Sequence, residues 1–111
     1  MSDTGERRNF YGRIRGKTLR ASQKDYLAED LGPLTLRGVT REENPTRAKL
    51  SLEFVKGPLW LEVGFGGGEH LVHMAAANPQ VTIIGAEPFV NGIAMLLGKI
   101  RGAGVQNLWL H

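Results

Sequence analysis

The stretch that decides the fold is Leu59-Trp60-Leu61-Glu62-Val63-Gly64-Phe65-Gly66-Gly67-Gly68-Glu69, an apolar run that ends in a glycine-rich turn. Its first five residues predict a short strand buried on both faces, as in a parallel sheet. Glycine is needed in the turn because the backbone must bend tightly and lie against a ligand without an intervening Cβ. A helical pattern over 68–77 follows directly, which is the strand–turn–helix context of a nucleotide-binding loop.

The residues after this turn repeat the alternation of strand and helix. Residues 81–86 are a β-branched run that predicts a second strand, residues 89–101 have the apolar spacing of a helix, and residues 107–111 begin a third strand. Strand, helix, strand, helix, strand is the pattern of a doubly wound α/β fold. We therefore predict a Rossmann-like fold over 59–111, truncated after the third strand of a parallel sheet.

The residues before the turn predict two further segments. Residues 1–21 are polar, basic and punctuated by glycine, and they predict a flexible arm. Residues 22–58 predict an N-terminal helical segment, with one helix over 23–30 and a second over 45–56 that follows an asparagine–proline start signal. The chain is thus divided into a basic arm, a helical segment and the first half of a cofactor-binding domain.

The composition of the 111 residues excludes several classes of function. The chain contains no cysteine, which rules out disulfides, iron–sulfur clusters and thiolate zinc sites within it. No run approaches the roughly 18 apolar residues of a membrane span, and no apolar signal segment follows the N-terminus, so we predict no membrane partner and a cytoplasmic location. His70 and His73 lack a third ligand in the sequence pattern, so we predict no metal site.

The positive charge is concentrated in the first half of the chain. Residues 1–56 hold twelve Lys and Arg against eight Asp and Glu, whereas residues 57–111 hold two against three. Seven cations and no acid lie within 7–24, and this asymmetry favours a polyanionic partner. Phe10 and Tyr11 lie among these cations, a composition that contacts phosphates and stacks on unpaired bases. A solvated charged surface is the alternative interpretation.

Two carboxylates flank the glycine turn and indicate which cofactor it suits. Glu62 lies within the apolar strand, and Glu87 ends the second strand 21 positions after Gly66, where a carboxylate can accept hydrogen bonds from ribose hydroxyls. Glu69 stands where a dinucleotide fingerprint has its third glycine, and its charge would repel a pyrophosphate at the helix N-terminus. S-adenosylmethionine, which carries a sulfonium and no phosphate, suits this turn better.

Dinucleotide binding and a purely structural turn remain the alternatives. A glycine-rich turn can serve only to let a helix approach a strand, and Glu69 can serve only to complement the helix dipole. Against the structural alternative, burying Glu62 unpaired in an apolar strand would carry a large free-energy cost or force its protonation.

The segments 61–71, LEVGFGGGEHL, and 84–92, IGAEPFVNG, resemble the bacterial tRNA (guanine-N7)-methyltransferases that modify guanine 46. The basic stretch 11–20 also resembles the start of that family, so the resemblance covers roughly residues 10–111. It implies a class I methyltransferase that uses S-adenosyl-L-methionine and has tRNA as its substrate. The cofactor residues that it implies are Glu62, Gly64, Gly66, Gly68 and Glu87, and the RNA-binding residues are Arg13, Arg15, Lys17 and Arg20.

The family's remaining functional residues have no counterpart here. An acid after the third strand and the Asp of a Pro-Asp-Pro-Trp segment are expected beyond His111, so no catalytic residue is assigned in this chain. We expect an N-terminal portion of such an enzyme, with one sheet edge and some of the apolar face of its central strand exposed. By itself it should be inactive, and it should aggregate or bind the cofactor weakly. The alternative is a non-catalytic cofactor- or RNA-binding module that retains only the glycine turn.

Overall fold

The computed structural model describes residues 17–111, and it places helices and strands in alternation after a helical N-terminal segment. This arrangement confirms the predicted α/β class with parallel strands. In chain order the elements are α1 (Ala21–Glu29), α2 (Leu31–Leu34), β1 (Leu59–Val63), α3 (Glu69–Ala77), β2 (Thr82–Ala86), α4 (Val90–Ala103) and β3 (Leu108–Leu110).

The three strands form one parallel sheet in the order β1-β2-β3. Glu62 pairs with Gly85 and Gly85 pairs with Leu110, so the carboxyl ends of the strands meet at one edge of the sheet. Helices α3 and α4 connect successive strands, and the hydrophobic core includes side chains from both helices and from β2 and β3. The largest fully buried side chains are Leu71, Ile83, Leu96, Leu97 and Leu108.

The prediction that β1 is buried on both faces is wrong. Leu61 is 66% exposed and Val63 is 71% exposed, because the hydrophobic core does not extend over this face of β1, which is also the outer strand of the sheet. An apolar run predicts burial because helices usually cover both faces of a parallel sheet. The expected exposed sheet edge is therefore present, and aggregation through it stays a prediction.

The prediction of a helix over 45–56 is also wrong, since residues 36–58 contain neither helix nor strand. The Asn44 side chain bonds twice to the backbone of Ala48: Oδ1 accepts the N–H and Nδ2 donates to the carbonyl, both at 2.8 Å. Such side-chain bonds offer the backbone an alternative to a helix. Arg47 also takes a left-handed conformation with φ 55°, which interrupts a right-handed helix.

The N-terminal helix begins slightly before the predicted residue 23. Helix α1 starts at Ala21, and the Gln23 side chain accepts the backbone N–H of Arg20 at 3.0 Å. Helix α1 ends at Glu29, and the Gly32-Pro33 pair lies inside the four-residue α2, where the missing N–H of a first-turn proline costs nothing. The division of the chain into three segments stays a prediction.

Helix α1 is fastened to α4 by a close approach and by an ion pair. A Cβ on Gly98 would lie 3.0 Å from a ring atom of Tyr26, so glycine allows this approach. The Arg101 guanidinium donates to both carboxylate oxygens of Asp30, at 2.6 and 2.8 Å, and to Glu29 at 2.9 Å. It also lies 4.7 Å from the centre of the Tyr26 ring. These contacts hold α1 and its C-terminal end beside α4.

The ion pair predicts a pH dependence of stability. The hydrogen bond from Arg101 holds the pKa of Asp30 below its usual range. A carboxylate of this kind stabilises the fold above its unfolded pKa of about 3.9, and this contribution is lost as the pH falls through the lower folded pKa. We expect Asp30→Asn to lower the melting temperature near neutral pH and to have progressively less effect below about pH 4. Melting curves across this range, with the exposed Asp25→Asn as the matched control, measure it; a constant difference would contradict it.

Candidate cofactor-binding site

The glycine turn lies at the carboxyl edge of the sheet, where β1 passes into α3. The Gly64 N–H donates to the carbonyl of Ala86 at 2.7 Å, which ties the start of the turn to the end of β2. The N–H of Glu87 lies 3.3 Å from the carbonyl of His111, so the residue after β3 reaches the same edge. Parallel α/β sheets bind their ligands in this position, outside the carboxyl ends of the strands.

The Glu87 carboxylate joins the glycine turn to the start of α4. Its Oε1 accepts the backbone N–H of Gly66 at 2.7 Å, and its Oε2 accepts the backbone N–H of Phe89 at 3.2 Å. The side chain is half-buried, and each carboxylate oxygen can accept more than one hydrogen bond. Glu87 is therefore held in place by the backbone and can still accept hydrogen bonds from a ligand.

Glycine is needed at the three predicted cofactor-binding positions for different structural reasons. Gly64 and Gly66 have left-handed φ values of 75° and 61°, and nothing lies within 4 Å of the position that a Cβ would occupy. Gly68 has φ 80°, and its Cβ would collide with the side chain of Leu96. The structural alternative therefore explains Gly68 as a packing requirement. Gly64 and Gly66 instead present backbone to open space, which is what a ligand-binding turn requires.

Helix α4 supports the turn through two residues that were not predicted as site residues. Gly92 lies so close to the turn that a Cβ would collide with the carbonyl oxygen of Gly66. Lys99 donates from Nζ to the carbonyl of Gly67 at 2.8 Å. The only signal in the sequence is their spacing, because residues seven apart lie on one face of a helix. Nothing local shows that this face lies against the turn.

Glu62 is half-buried and lies on the same face of the sheet as its register partner Gly85. Its carboxylate forms no hydrogen bond or ion pair with any residue in the described range 17–111. Because Glu62 is only half-buried, its carboxylate does not carry the large burial cost expected for an acid inside a fully buried strand. Glu62 stands two residues before Gly64, where its carboxylate remains available to a ligand of the turn.

The predicted RNA-binding residues are only partly described. Arg13 and Arg15 lie outside the described residues, whereas Lys17 and Arg20 are exposed. The carbonyl of Lys17 accepts a hydrogen bond from Nδ2 of Asn91 at 2.6 Å, in the first turn of α4. The end of the predicted arm therefore lies beside the loop that carries Glu87.

The described residues 17–111 also bear on a metal site and on a membrane-spanning helix. His70 and His73 are exposed on α3, and the described side chains form no group of three that would hold a metal ion. No helix in this part of the chain combines the length and the apolar character that crossing a membrane requires.

Comparison with known proteins identifies the family. The family described as "Putative methyltransferase" matches residues 56–111, which include the glycine turn and all three strands. The chain belongs to this family. The methyltransferase resemblance predicted from the glycine turn is confirmed.

Curated relatives of this family match the chain over nearly its whole length. A protein of Cereibacter sphaeroides is 68% identical over 106 residues, which cover 94% of this chain and 44% of that protein. A protein of Paracoccus denitrificans is 64% identical, covering 95% and 46%, and one of Rhizobium meliloti is 44% identical, covering 92% and 43%. All three are named tRNA (guanine-N(7)-)-methyltransferase. The chain spans less than half the length of these relatives.

Proposed function

We propose that this chain binds S-adenosyl-L-methionine and supplies the donor side of a methyltransferase acting on N7 of guanine 46 in tRNA. The observation that carries the proposal is the Glu87 carboxylate, which accepts the Gly66 N–H at 2.7 Å at the edge of an open glycine turn. The names and the high identity of the relatives support the same reaction. Residues 59–111 would then form the first half of the cofactor-binding domain.

Each residue of the turn would have a separate part in holding the donor. Glu87 would accept the ribose hydroxyls, and the open backbone at Gly64 and Gly66 would lie against the ligand. Glu62 would attract the positively charged end of the donor, while Gly68 allows the turn to lie on α4 through its contact with Leu96. When bound, S-adenosylmethionine supplies a methyl group that its sulfonium already activates.

The charge of the site favours this donor over a dinucleotide. Glu69 lies exposed in the first turn of α3, where a pyrophosphate would otherwise bind the free N–H groups. Glu62 and Glu87 add negative charge to the same edge of the sheet. A cationic ligand without phosphate therefore matches the site better than NAD or FAD does.

The methyl transfer itself requires alignment more than acid–base chemistry. N7 of guanine is unprotonated at neutral pH, so no base is needed to create the nucleophile, and the gain comes from orienting it toward the methyl carbon. No catalytic residue is assigned among the described residues. The basic residues Arg13, Arg15, Lys17 and Arg20 would contact the tRNA phosphates. We propose a cytoplasmic location because the proposed substrate is tRNA.

Calorimetric titration of the 111-residue chain with sinefungin and, separately, with NAD tests the cofactor assignment. We expect sinefungin to bind and NAD to produce no heat of binding, because only NAD brings a pyrophosphate to Glu69. Binding of NAD in the absence of sinefungin binding would overturn the assignment and favour the dinucleotide alternative.

A chimera tests the reaction. Residues 1–111 are joined to the remaining part of the Cereibacter sphaeroides relative, whose matching segment is 68% identical, and the chimera is assayed on an unmodified tRNA transcript. We expect N7-methylguanosine from the chimera and none from the 111-residue chain alone. Sinefungin binding by an inactive but folded chimera would favour the non-catalytic binding module.

A further inference from the structure

A groove between α1 and α4 brings together two cations and no carboxylate. The groove has a volume of about 340 Å³, and its lining includes Arg20, Ser22, Gln23, Tyr26, Met95 and Lys99. We call it the α1–α4 groove. Its floor forms because Gly98 allows the Tyr26 ring to approach α4 closely.

The two cations of the groove differ from their neighbour Arg101. Arg101 is neutralised by Asp30 and Glu29, and its role is to fasten α1 to α4. Among residues 17–111, neither Arg20 nor Lys99 forms an ion pair with a carboxylate. Lys99 uses one N–H for the carbonyl of Gly67 and has two more to donate. The groove therefore carries positive charge that no carboxylate of the described residues neutralises.

The groove lies between Lys17 and the glycine turn. On one side, Lys17 is tied by its carbonyl to Asn91 at the start of α4. On the other side, Lys99 reaches from the groove to the carbonyl of Gly67 in the turn. An anion in the groove would thus lie next to the candidate cofactor site, along the continuation of the basic segment.

We infer that the α1–α4 groove binds a backbone phosphate of the RNA substrate next to the glycine turn, through Arg20 and Lys99. The inference rests on the proposed function for the identity of the polyanion. Arginine and lysine with a neighbouring hydroxyl, here Ser22, are typical phosphate partners. Contacts to phosphates position an RNA without reading its sequence, so the groove would orient the substrate against the donor.

The salt dependence of RNA binding tests this inference. Binding of a fluorescent, unmodified tRNA transcript to the 111-residue chain is measured by anisotropy over a series of KCl concentrations. The association constant K falls as salt rises, and each lost phosphate contact reduces the magnitude of the slope of log K against log salt by about 0.7–0.9. We expect this decrease for Arg20→Gln and for Lys99→Gln, and about twice this decrease for the double variant. Lys99→Arg should keep the original slope.

Lys56→Gln is the matched control, because Lys56 is exposed and precedes β1 at the opposite end of the strands from the glycine turn. We expect its slope to equal that of the unchanged chain. Circular dichroism melting curves identify any variant that has lost its fold, and the Arg20 and Lys99 variants provide independent measurements.

Three results would overturn the inference: no binding of the transcript, unchanged slopes in both groove variants, or an equal decrease in Lys56→Gln. Poly-glutamate, a polyanion without phosphate, is measured in the same assay. If it binds as tightly as the transcript and depends equally on Arg20, the inference is overturned in favour of an acidic protein partner. Sinefungin titration without RNA distinguishes the proposed donor site from the proposed phosphate site. Absence of sinefungin binding would contradict the donor site, whereas the salt-dependence slopes for RNA would not change.

Discussion

Replacing Gly92 by alanine is expected to weaken sinefungin binding about tenfold to a hundredfold, although alanine is the better helix former. A Cβ at this position would collide with the carbonyl oxygen of Gly66 and lie 3.0 Å from its carbonyl carbon. Because both are backbone atoms of the glycine turn, the turn or α4 must shift. Overpacking of this kind typically costs about 1–3 kcal/mol, which corresponds to the expected loss of affinity if it displaces the turn.

Gly102→Ala is the matched control, because Gly102 lies in the same helix and nothing is within 4 Å of its Cβ position. There alanine should leave sinefungin binding unchanged and stabilise the fold by up to about 1 kcal/mol. Calorimetric titration and thermal melting of both variants measure the difference. Equal affinities for the two variants would show that the contact between α4 and the turn does not determine donor binding.

Replacing Glu87 by glutamine is expected to weaken sinefungin binding by a similar factor for an electrostatic reason. The carboxylate accepts the N–H groups of Gly66 and Phe89 on its two oxygens. An amide has only one oxygen, so its NH₂ group would face one of these donors. A hydrogen bond to a charged group contributes about 1.5–3 kcal/mol, and the variant loses both the charge and one acceptor.

Glu42→Gln serves as the control for Glu87→Gln, since Glu42 is an exposed carboxylate in a turn outside the sheet. Its affinity for sinefungin should equal that of the unchanged chain. Sinefungin titrations of both variants, together with melting curves that establish their folding, give the comparison. A folded Glu87→Gln protein with undiminished affinity would remove the observation on which the proposed function depends.

The elements that the sequence predicts correctly are those specified by local signals. The apolar run at 59–63, the glycine turn and the apolar spacing over 89–101 each predict one element, and the structure places β1, the turn and α4 there. The failed prediction over 45–56 also rests on a local signal, the asparagine before a proline. There the Asn44 side chain bonds to the Ala48 backbone, so the residue that would begin a helix stabilises a turn instead.

By itself, the sequence determined the order of strands and helices over 59–111, the glycine turn and the acids at 62 and 87, because backbone geometry and side-chain periodicity are local properties. It also determined the concentration of positive charge before residue 25. Only the tertiary structure decided that β1 is an exposed edge strand and that Gly92 and Lys99 support the turn. The physical reason is that strand order and helix placement depend on contacts between residues far apart in the chain, which no local pattern encodes.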